Sequence, residues 1–166
     1  MSGTPRIALR AATEADVPLI VELVHELAAY ERLAADCVAD SQSVRRSLFD
    51  VRAAEAIIAE VGDDAAGYAL FFRSFSTFLM RPGIYLEDLF VRPPFRGQGV
   101  GLALLRHVAR QAIDQGHSRV EWSVLNWNQL AIDFYERIGA EPLRGWTTFR
   151  LTGHALAALG ARRDSE

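Results

Sequence analysis

The stretch YLEDLFVRPPFRGQGVG, residues 85–101, contains the two features that decide the fold. An apolar, strand-like run carries two adjacent acids, Glu87 and Asp88, and glycines follow at every second position, Gly97 to Gly101. A helical pattern begins directly after them. Backbone N–H groups at a helix start have no intrahelical partner, and glycines let a phosphate approach them closely. The turn therefore predicts a phosphate or pyrophosphate site between a strand and a helix.

The segments on either side of this stretch predict an α/β fold with a mixed sheet. Upstream, a short first strand leads into a helix with a Thr13–Asp16 capping pattern, and two apolar runs around GDDAAG predict a hairpin. Downstream, the order is helix, strand, helix, strand. The predicted segments are RIALRAA, ATEADVPLIVELVHELAAYERL, SQSVRRSLFD, EAIIAEV, GYALFFRSFS, GIYLEDLFV, GVGLALLRHVARQAIDQG, SRVEWSVL, NQLAIDFYERIG and WTTFRLT.

The composition is that of an ordinary globular protein. Of the 166 residues, 50% are apolar and 23% are charged, and the net charge is -3. This charge gives no sign of an electrostatic nucleic-acid binder, which would usually show a basic face, and it is compatible with a cationic substrate. The single cysteine, Cys37, excludes an intrachain disulfide, and no leader or membrane-spanning run is evident, so we expect a cytoplasmic protein. The four histidines are scattered and lack a zinc-helix spacing, so no metal site is predicted.

Several phosphate-binding motifs compete for the glycine turn. A Walker loop needs Gly-Lys-Ser/Thr, which is absent, and a dinucleotide fingerprint needs a third glycine where Leu102 stands. A methyltransferase loop that binds S-adenosylmethionine would more often follow the first strand. The pattern Arg/Gln-x-x-Gly-x-Gly/Ala, which opens a long helix, resembles the acetyl-CoA loop of the GCN5-related N-acetyltransferase (GNAT) superfamily.

More of the chain is similar to this superfamily, from about residue 6 to about residue 151. The narrower resemblance is to the spermidine/spermine acetyltransferase-like branch, which includes diamine and thialysine acetyltransferases. The motifs that carry it are ELAAYE, YLEDLFV, RGQGVG and WNQLAIDFYERIGA. The resemblance implies one GNAT domain over residues 1–166, with a mixed central sheet whose bulged, splayed strand is flanked by helices. It also implies a homodimer.

The resemblance implies acetyl-CoA as co-substrate and assigns the residues that bind it. Backbone groups of the central strand would bond the acetyl carbonyl and the pantetheine arm, and the glycine turn would hold the pyrophosphate. Asn128 reads either as an N-cap or as a further CoA contact, and both roles are compatible. The cofactor set is Leu89, Phe90, Val91, Arg96, Gly97, Gln98, Gly99, Val100, Gly101, Leu102, Asn128 and Tyr135.

Catalysis requires a neutral amine and a protonated leaving thiol. The resemblance makes Glu87 the general base, directly or through water, and Tyr135 the general acid. In a regular strand Glu87 and Asp88 would point to opposite faces, so both can line one cleft only if a bulge intervenes. The branch carries such a bulge in this strand.

The acceptor amine is expected to meet Tyr30, Glu31, Glu87, Asp88 and Trp122. The chain continues with Arg32, Leu33 and Ala34 where polyamine enzymes are acidic, which favours a diamine or a lysine-like amino acid over a long polyamine. The predicted function is direct acetyl transfer from acetyl-CoA to a primary amine of a small cationic substrate. The alternatives are a protein lysine or N-terminal acetyltransferase and a non-catalytic acyl-CoA-binding module.

Overall fold

The computed structural model describes residues 6–161. The expectation that the chain has no leader was based partly on the first five residues, which lie outside the described part. The chain divides into two compact units, one that ends at Leu125 and one that begins at Asn126. Each unit is described by itself. The single domain expected over residues 1–166 stays a prediction.

The first unit is built on a five-stranded mixed sheet in the order β1-β2-β3-β4-β5. The first four strands form an antiparallel meander and β5 runs parallel to β4, as the predicted α/β class requires. The strands are β1 (Ile7–Ala11), β2 (Glu55–Val61), β3 (Asp64–Ser76), β4 (Arg81–Val91) and β5 (Val120–Glu121).

Helix α1 (Val17–Tyr30) covers one face of this sheet. Its buried residues Ile20, Leu23 and Leu27 recur at helical spacing, as the sequence predicts, and they pack with Tyr68 of β3 and Phe90 of β4. A short α2 (Ser41–Arg45) follows, with Val44 in the same cluster, and continues into a π-helical turn over Arg46–Asp50.

Helix α3 (Val100–Asp114) follows the glycine turn and contacts β3 and β4. Its buried stripe comprises Val100, Leu104, Leu105, Val108 and Ala112. The helical periodicity of the sequence predicts one apolar stripe of Leu104, Leu105, Val108, Ala109, Ala112 and Ile113. The prediction is wrong for Ile113, which is 72% exposed. One step beyond Ala112 turns the side chain by about 100°, which carries it off the buried stripe.

The second unit contains α4 (Gln129–Arg137) and α5 (Gly153–Ala161). Helix α4 matches the predicted late helix. The predicted last strand over residues 146–152 is wrong: in the described part of the chain this segment pairs with no strand, and α5 follows it directly. Its aromatic and threonine residues favour a strand locally, but a strand needs a hydrogen-bonded neighbour.

Strand β4 carries the irregularity on which the site depends. Asp88 pairs with Leu70 and Leu86 pairs with Phe71, so that Glu87 is an extra residue with no partner in β3. This is a β-bulge. On the other side, β5 pairs only with Ile84 and Tyr85, so the rest of β4 has no strand partner there among the described residues. The bulged, splayed central strand is therefore confirmed.

A close approach of β3 to β4 gives a test of this pairing. A Cβ atom at Gly67 of β3 would lie 2.2 Å from the carbonyl oxygen of Phe90, and backbone cannot move aside cheaply. We predict that Gly67→Ala lowers the free energy of unfolding by about 1–3 kcal/mol, as measured by urea denaturation. Gly145→Ala is the matched control, since its Cβ would meet no atom within 4 Å. Equal stability of the two variants would contradict the pairing.

Candidate active site

The bulge brings both adjacent acids to the face of the sheet that α1 covers. Tyr68, Leu70 and Phe72 alternate along β3 and share that face. Their partners in β4 are Phe90, Asp88 and Tyr85, which therefore lie on it too. Glu87 lies two residues after Tyr85, so its side chain is on the same face as that of Tyr85. The condition under which Glu87 and Asp88 could line one cleft is thus met.

Asp88 is held by a residue that the sequence analysis missed. The hydroxyl of the buried Tyr68 donates a hydrogen bond to Oδ2 of Asp88 at 2.8 Å. Burial raises the pKa of Asp88 to about 6, and the charges of Glu87 and Glu31 add to this while the bond from Tyr68 opposes it. Tyr68 lies within the apolar run GYALFF, and no local pattern marks its hydroxyl as functional.

The C-terminal end of α1 contributes to the same acidic cluster. Glu31 follows the last helical residue, Tyr30, and burial raises the pKa of its carboxyl group. Its charge acts on both Asp88 and Tyr68. Arg32 then takes a left-handed backbone with φ of 63°, which ends the helix. The carbonyls at a helix C-terminus also carry partial negative charge, so this end of the sheet favours a cation.

Arg96 links the glycine turn to this cluster. Its guanidinium carbon lies 4.5 Å from the centre of the Tyr30 ring and 5.8 Å from that of Phe90, and its Nε donates to the carbonyl oxygen of Val91 at 2.9 Å. The resemblance places Arg96 in the cofactor-binding set, where its charge would face the pyrophosphate. In the structure its side chain stacks on Tyr30, so the amine end and the cofactor turn share one side chain.

The glycine turn has the geometry of a phosphate cradle. Gly97 and Gly99 have φ of 75° and 88°, a left-handed conformation that glycine adopts without strain, and Gly99 is the N-cap of α3. The side-chain amide of Gln98 donates to the carbonyl oxygen of Pro94 at 2.9 Å and closes the turn. The N–H groups at the start of α3 belong to Val100, Gly101 and Leu102.

These features fit acetyl-CoA. Helix N–H groups beside open glycines match a pyrophosphate in both charge and access. The adjoining edge of β4, Leu89 to Val91, has no strand partner on the β5 side in the described residues, so its backbone is available to an extended arm. One group is already engaged, since the carbonyl oxygen of Val91 accepts the bond from Arg96.

Trp122 follows β5 directly and is half-buried. The next residue, Ser123, shares a 2.8 Å hydrogen bond with the hydroxyl of Tyr85 in β4. This bond holds the chain beyond β5 at the start of the splayed region. A contact of Trp122 with substrate stays a prediction.

In the second unit, Asn128 is the N-cap of α4 and Tyr135 lies within this helix. The side-chain oxygen of Asn128 accepts a hydrogen bond from the N–H of Ala131 at 3.3 Å, so the N-cap interpretation is confirmed. Tyr135 is half-buried, and its ring centre lies 5.3 Å from that of Phe134. Their roles toward CoA stay predictions.

Two further properties concern residues 6–161 as a whole. These residues contain no group of three or more His, Cys, Asp or Glu side chains arranged to hold a metal ion. Among their helices, none combines the length and apolar character needed to span a bilayer.

Comparison with known proteins identifies the family. Residues 21–140 match the model of the Acetyltransferase (GNAT) family. The chain is 35% identical to thialysine N-epsilon-acetyltransferase of Bos taurus, over 94% of this chain and 98% of that protein. It is 34% identical to L-ornithine N5-acetyltransferase of Arabidopsis thaliana, over 91% and 86%. A solved integron cassette protein from the mobile metagenome of V. cholerae superposes with a TM-score of 0.80 at 27% identity, over 94% of this chain and 98% of that one.

These matches cover most of the length of this chain and most of the length of each relative. They confirm the fold and the predicted enzyme class, an acetyl-CoA-dependent N-acetyltransferase. The chain belongs to the GNAT family of acetyltransferases and, within it, to the spermidine/spermine acetyltransferase-like branch that includes diamine and thialysine acetyltransferases.

Proposed function

We propose that this enzyme acetylates the side-chain amine of a small diamino acid of the ornithine or lysine type, or a short diamine. The observation that carries the proposal is the acidic face, where the bulge gathers Glu87 and Asp88 close to Glu31. Such a cluster suits an acceptor that arrives as an ammonium ion. The activities named for the ornithine and thialysine relatives support the same class.

The proposed mechanism is direct transfer within a ternary complex. A primary ammonium of pKa ~10.4 loses a proton at neutral pH at a cost of roughly 4–5 kcal/mol, so a base must take this proton. We assign that role to Glu87, which is exposed at the bulge and able to act through water. The amine nitrogen then attacks the thioester carbon, the C–S bond breaks, and the departing sulfur takes a proton from Tyr135. The nitrogen loses its second proton to solvent as the amide forms, and the Tyr135 phenolate takes a proton back from solvent.

The remaining residues bind and orient. Asp88, Glu31 and Tyr30 bind the cationic part of the acceptor, with Trp122 at its border. Backbone groups of Leu89 to Val91 bond the thioester carbonyl and the pantetheine arm, and one N–H there stabilises the developing oxyanion. Gly97 to Leu102 hold the pyrophosphate, with Arg96 at their start and Asn128 as a further contact.

The experiment that tests the function is a panel of amines with acetyl-CoA, scored by CoA release. The panel contains ornithine, lysine, thialysine, putrescine, spermidine and a lysine peptide. We expect the highest kcat/KM for a diamino acid or a short diamine. A preference for the peptide or for spermidine would contradict the proposal, as would no release above hydrolysis with any amine.

The role of Tyr135 predicts a selective loss in the phenylalanine variant. Tyr135→Phe keeps the ring and removes the proton donor, so kcat should fall about 100-fold or more while the Kd for acetyl-CoA changes little. Steady-state kinetics measures kcat, and calorimetry with acetyl-CoA measures the Kd. Unchanged turnover would contradict the assignment.

The role of Glu87 predicts a pH-dependent loss. In Glu87→Gln the solvent must deprotonate the amine, so kcat/KM should fall about 100-fold near pH 7 and recover as the pH rises toward the amine pKa of ~10.4. The matched control is Glu141→Gln, which neutralises an exposed acid of the second unit. A uniform loss at all pH values would exclude Glu87 as the base.

We also propose a cytoplasmic homodimer, as the resemblance implies. The turn between β3 and β4 supports dimerisation because it exposes Phe75, Phe78, Leu79 and Met80, with Phe78 93% exposed. The lone Cys37 suits a reducing compartment. For the dimer, light scattering at micromolar concentration should give twice the mass of one chain. For the location, cell fractionation should recover the enzyme together with cytoplasmic markers. A monomer or a membrane fraction would contradict the respective proposal.

A further inference from the structure

The pair of Tyr68 and Asp88 has a geometry that packing alone does not require. Tyr68 is fully buried in β3, within the cluster of α1 and the sheet, where a phenylalanine would fill the same space. Its hydroxyl reaches Oδ2 of Asp88, diagonally across the β3–β4 pair, at 2.8 Å. A tyrosine in such a place needs a partner for its hydroxyl, and here the partner is a half-buried carboxylate.

The bond leaves half of the carboxylate available. Among the described residues, Tyr68 is the group that hydrogen-bonds Asp88, and it bonds Oδ2 alone. The hydroxyl of Tyr68 stays protonated and donates its hydrogen to Asp88, because burial and the neighbouring Asp88 raise the pKa of the hydroxyl far above its ordinary value. Asp88 is therefore fixed in one orientation and can accept a further hydrogen bond at Oδ1.

The surroundings of Asp88 oppose its ionisation. Burial is the largest cause of its raised pKa, and the carboxylates of Glu87 on β4 and Glu31 at the end of α1 raise it further. The Tyr68 hydroxyl lowers it. The charge of Cys37 acts on the Tyr68 end of the pair, and the guanidinium group of Arg96 stacks on Tyr30 and Phe90. The hydrogen bond thus holds negative charge where a cationic acceptor would need it.

We propose that Tyr68 is a positioning residue for the acceptor: its hydroxyl fixes Oδ2 of Asp88 and leaves Oδ1 to bind the ammonium group of the substrate that does not react. The inference rests on the proposed function and extends it to a residue outside the predicted site. It makes amine recognition depend on a hydroxyl within the core. A Tyr68→Phe change keeps the packing and releases the carboxylate.

The first test compares Tyr68→Phe with Tyr85→Phe. Tyr85 lies on the same face, but its hydroxyl partner is Ser123, so the control removes a tyrosine hydroxyl without touching a carboxylate. At pH 7 we expect Tyr68→Phe to raise the KM for the amine about tenfold or more and to leave the KM for acetyl-CoA within about twofold. Tyr85→Phe should leave both values within about twofold.

The pH profile separates positioning from a structural role. Loss of the hydrogen bond removes the interaction that lowers the Asp88 pKa, so the acidic limb of kcat/KM for the amine should move to higher pH in Tyr68→Phe. Part of the loss at pH 7 should return near pH 8.5. Because the charges of Glu87 and Glu31 act on Asp88, the limb reports Asp88 within its acidic surroundings. A wild-type limb and a wild-type amine KM in a folded Tyr68→Phe variant would overturn the proposal.

The Asp88→Asn variant tests whether Tyr68 acts through Asp88, and it also provides a test if Tyr68→Phe does not fold. If Tyr68 acts through Asp88, Tyr68→Phe should raise the amine KM no further in an Asp88→Asn background. Additive effects would overturn the proposal. If Tyr68→Phe does not fold, Asp88→Asn alone decides: a raised amine KM and a shifted acidic limb support the subsite, and wild-type values overturn it. Failure of the proposed function has a different signature, the absence of amine acetylation by the wild-type enzyme.

Discussion

Glu87 has no partner across the pairing of β3 with β4, and this extra residue determines the chemistry of the whole sheet face. Without it, Leu86 and Asp88 would lie on the same face and Glu87 on the other. With it, Leu86 stays with Phe71 on one face, while Tyr85, Glu87, Asp88 and Phe90 share the face that α1 covers. One bulge thus places two carboxylates beside the end of α1 and coincides with the point where β5 leaves β4.

The bulge also explains how one strand serves two substrates. Side chains of β4 present negative charge to the acceptor amine, whereas the backbone of the same residues, Leu89 to Val91, has an edge that an extended CoA arm can occupy. The glycine turn lies a few residues further, so the pyrophosphate and the thioester carbonyl can be bound by consecutive parts of one chain segment. Arg96 connects these parts through the carbonyl of Val91 and the ring of Tyr30. Arg96 therefore contacts both the amine cluster and the segment that leads into the cofactor turn.

Residue chemistry alone predicted the parts of the site that depend on local conformation. Gly97 and Gly99 were identifiable from their spacing just before a helical pattern, and the positive φ angles that the structure gives them suit glycine. The bulge itself was not visible in the residues, because it is a property of the register with β3; it came from the resemblance. Tyr68 was missed for a related reason, since its importance arises from a cross-strand contact. The strand expected over residues 146–152 was wrong because β-propensity does not supply a pairing partner.

The central claim is that the acidic face made by the bulge holds the acceptor ammonium while the glycine turn holds the CoA pyrophosphate. A crystal structure with a bisubstrate analogue, in which CoA is joined through an acetyl bridge to the side-chain amine of ornithine, tests it most directly. The account predicts the reacting nitrogen within hydrogen-bond reach of Glu87 or of one water bound to it, the α-ammonium near Oδ1 of Asp88 and Glu31, and the pyrophosphate on the N–H groups of Gly97 to Leu102. An ornithine moiety bound away from these carboxylates, or a pyrophosphate away from the turn, would contradict it.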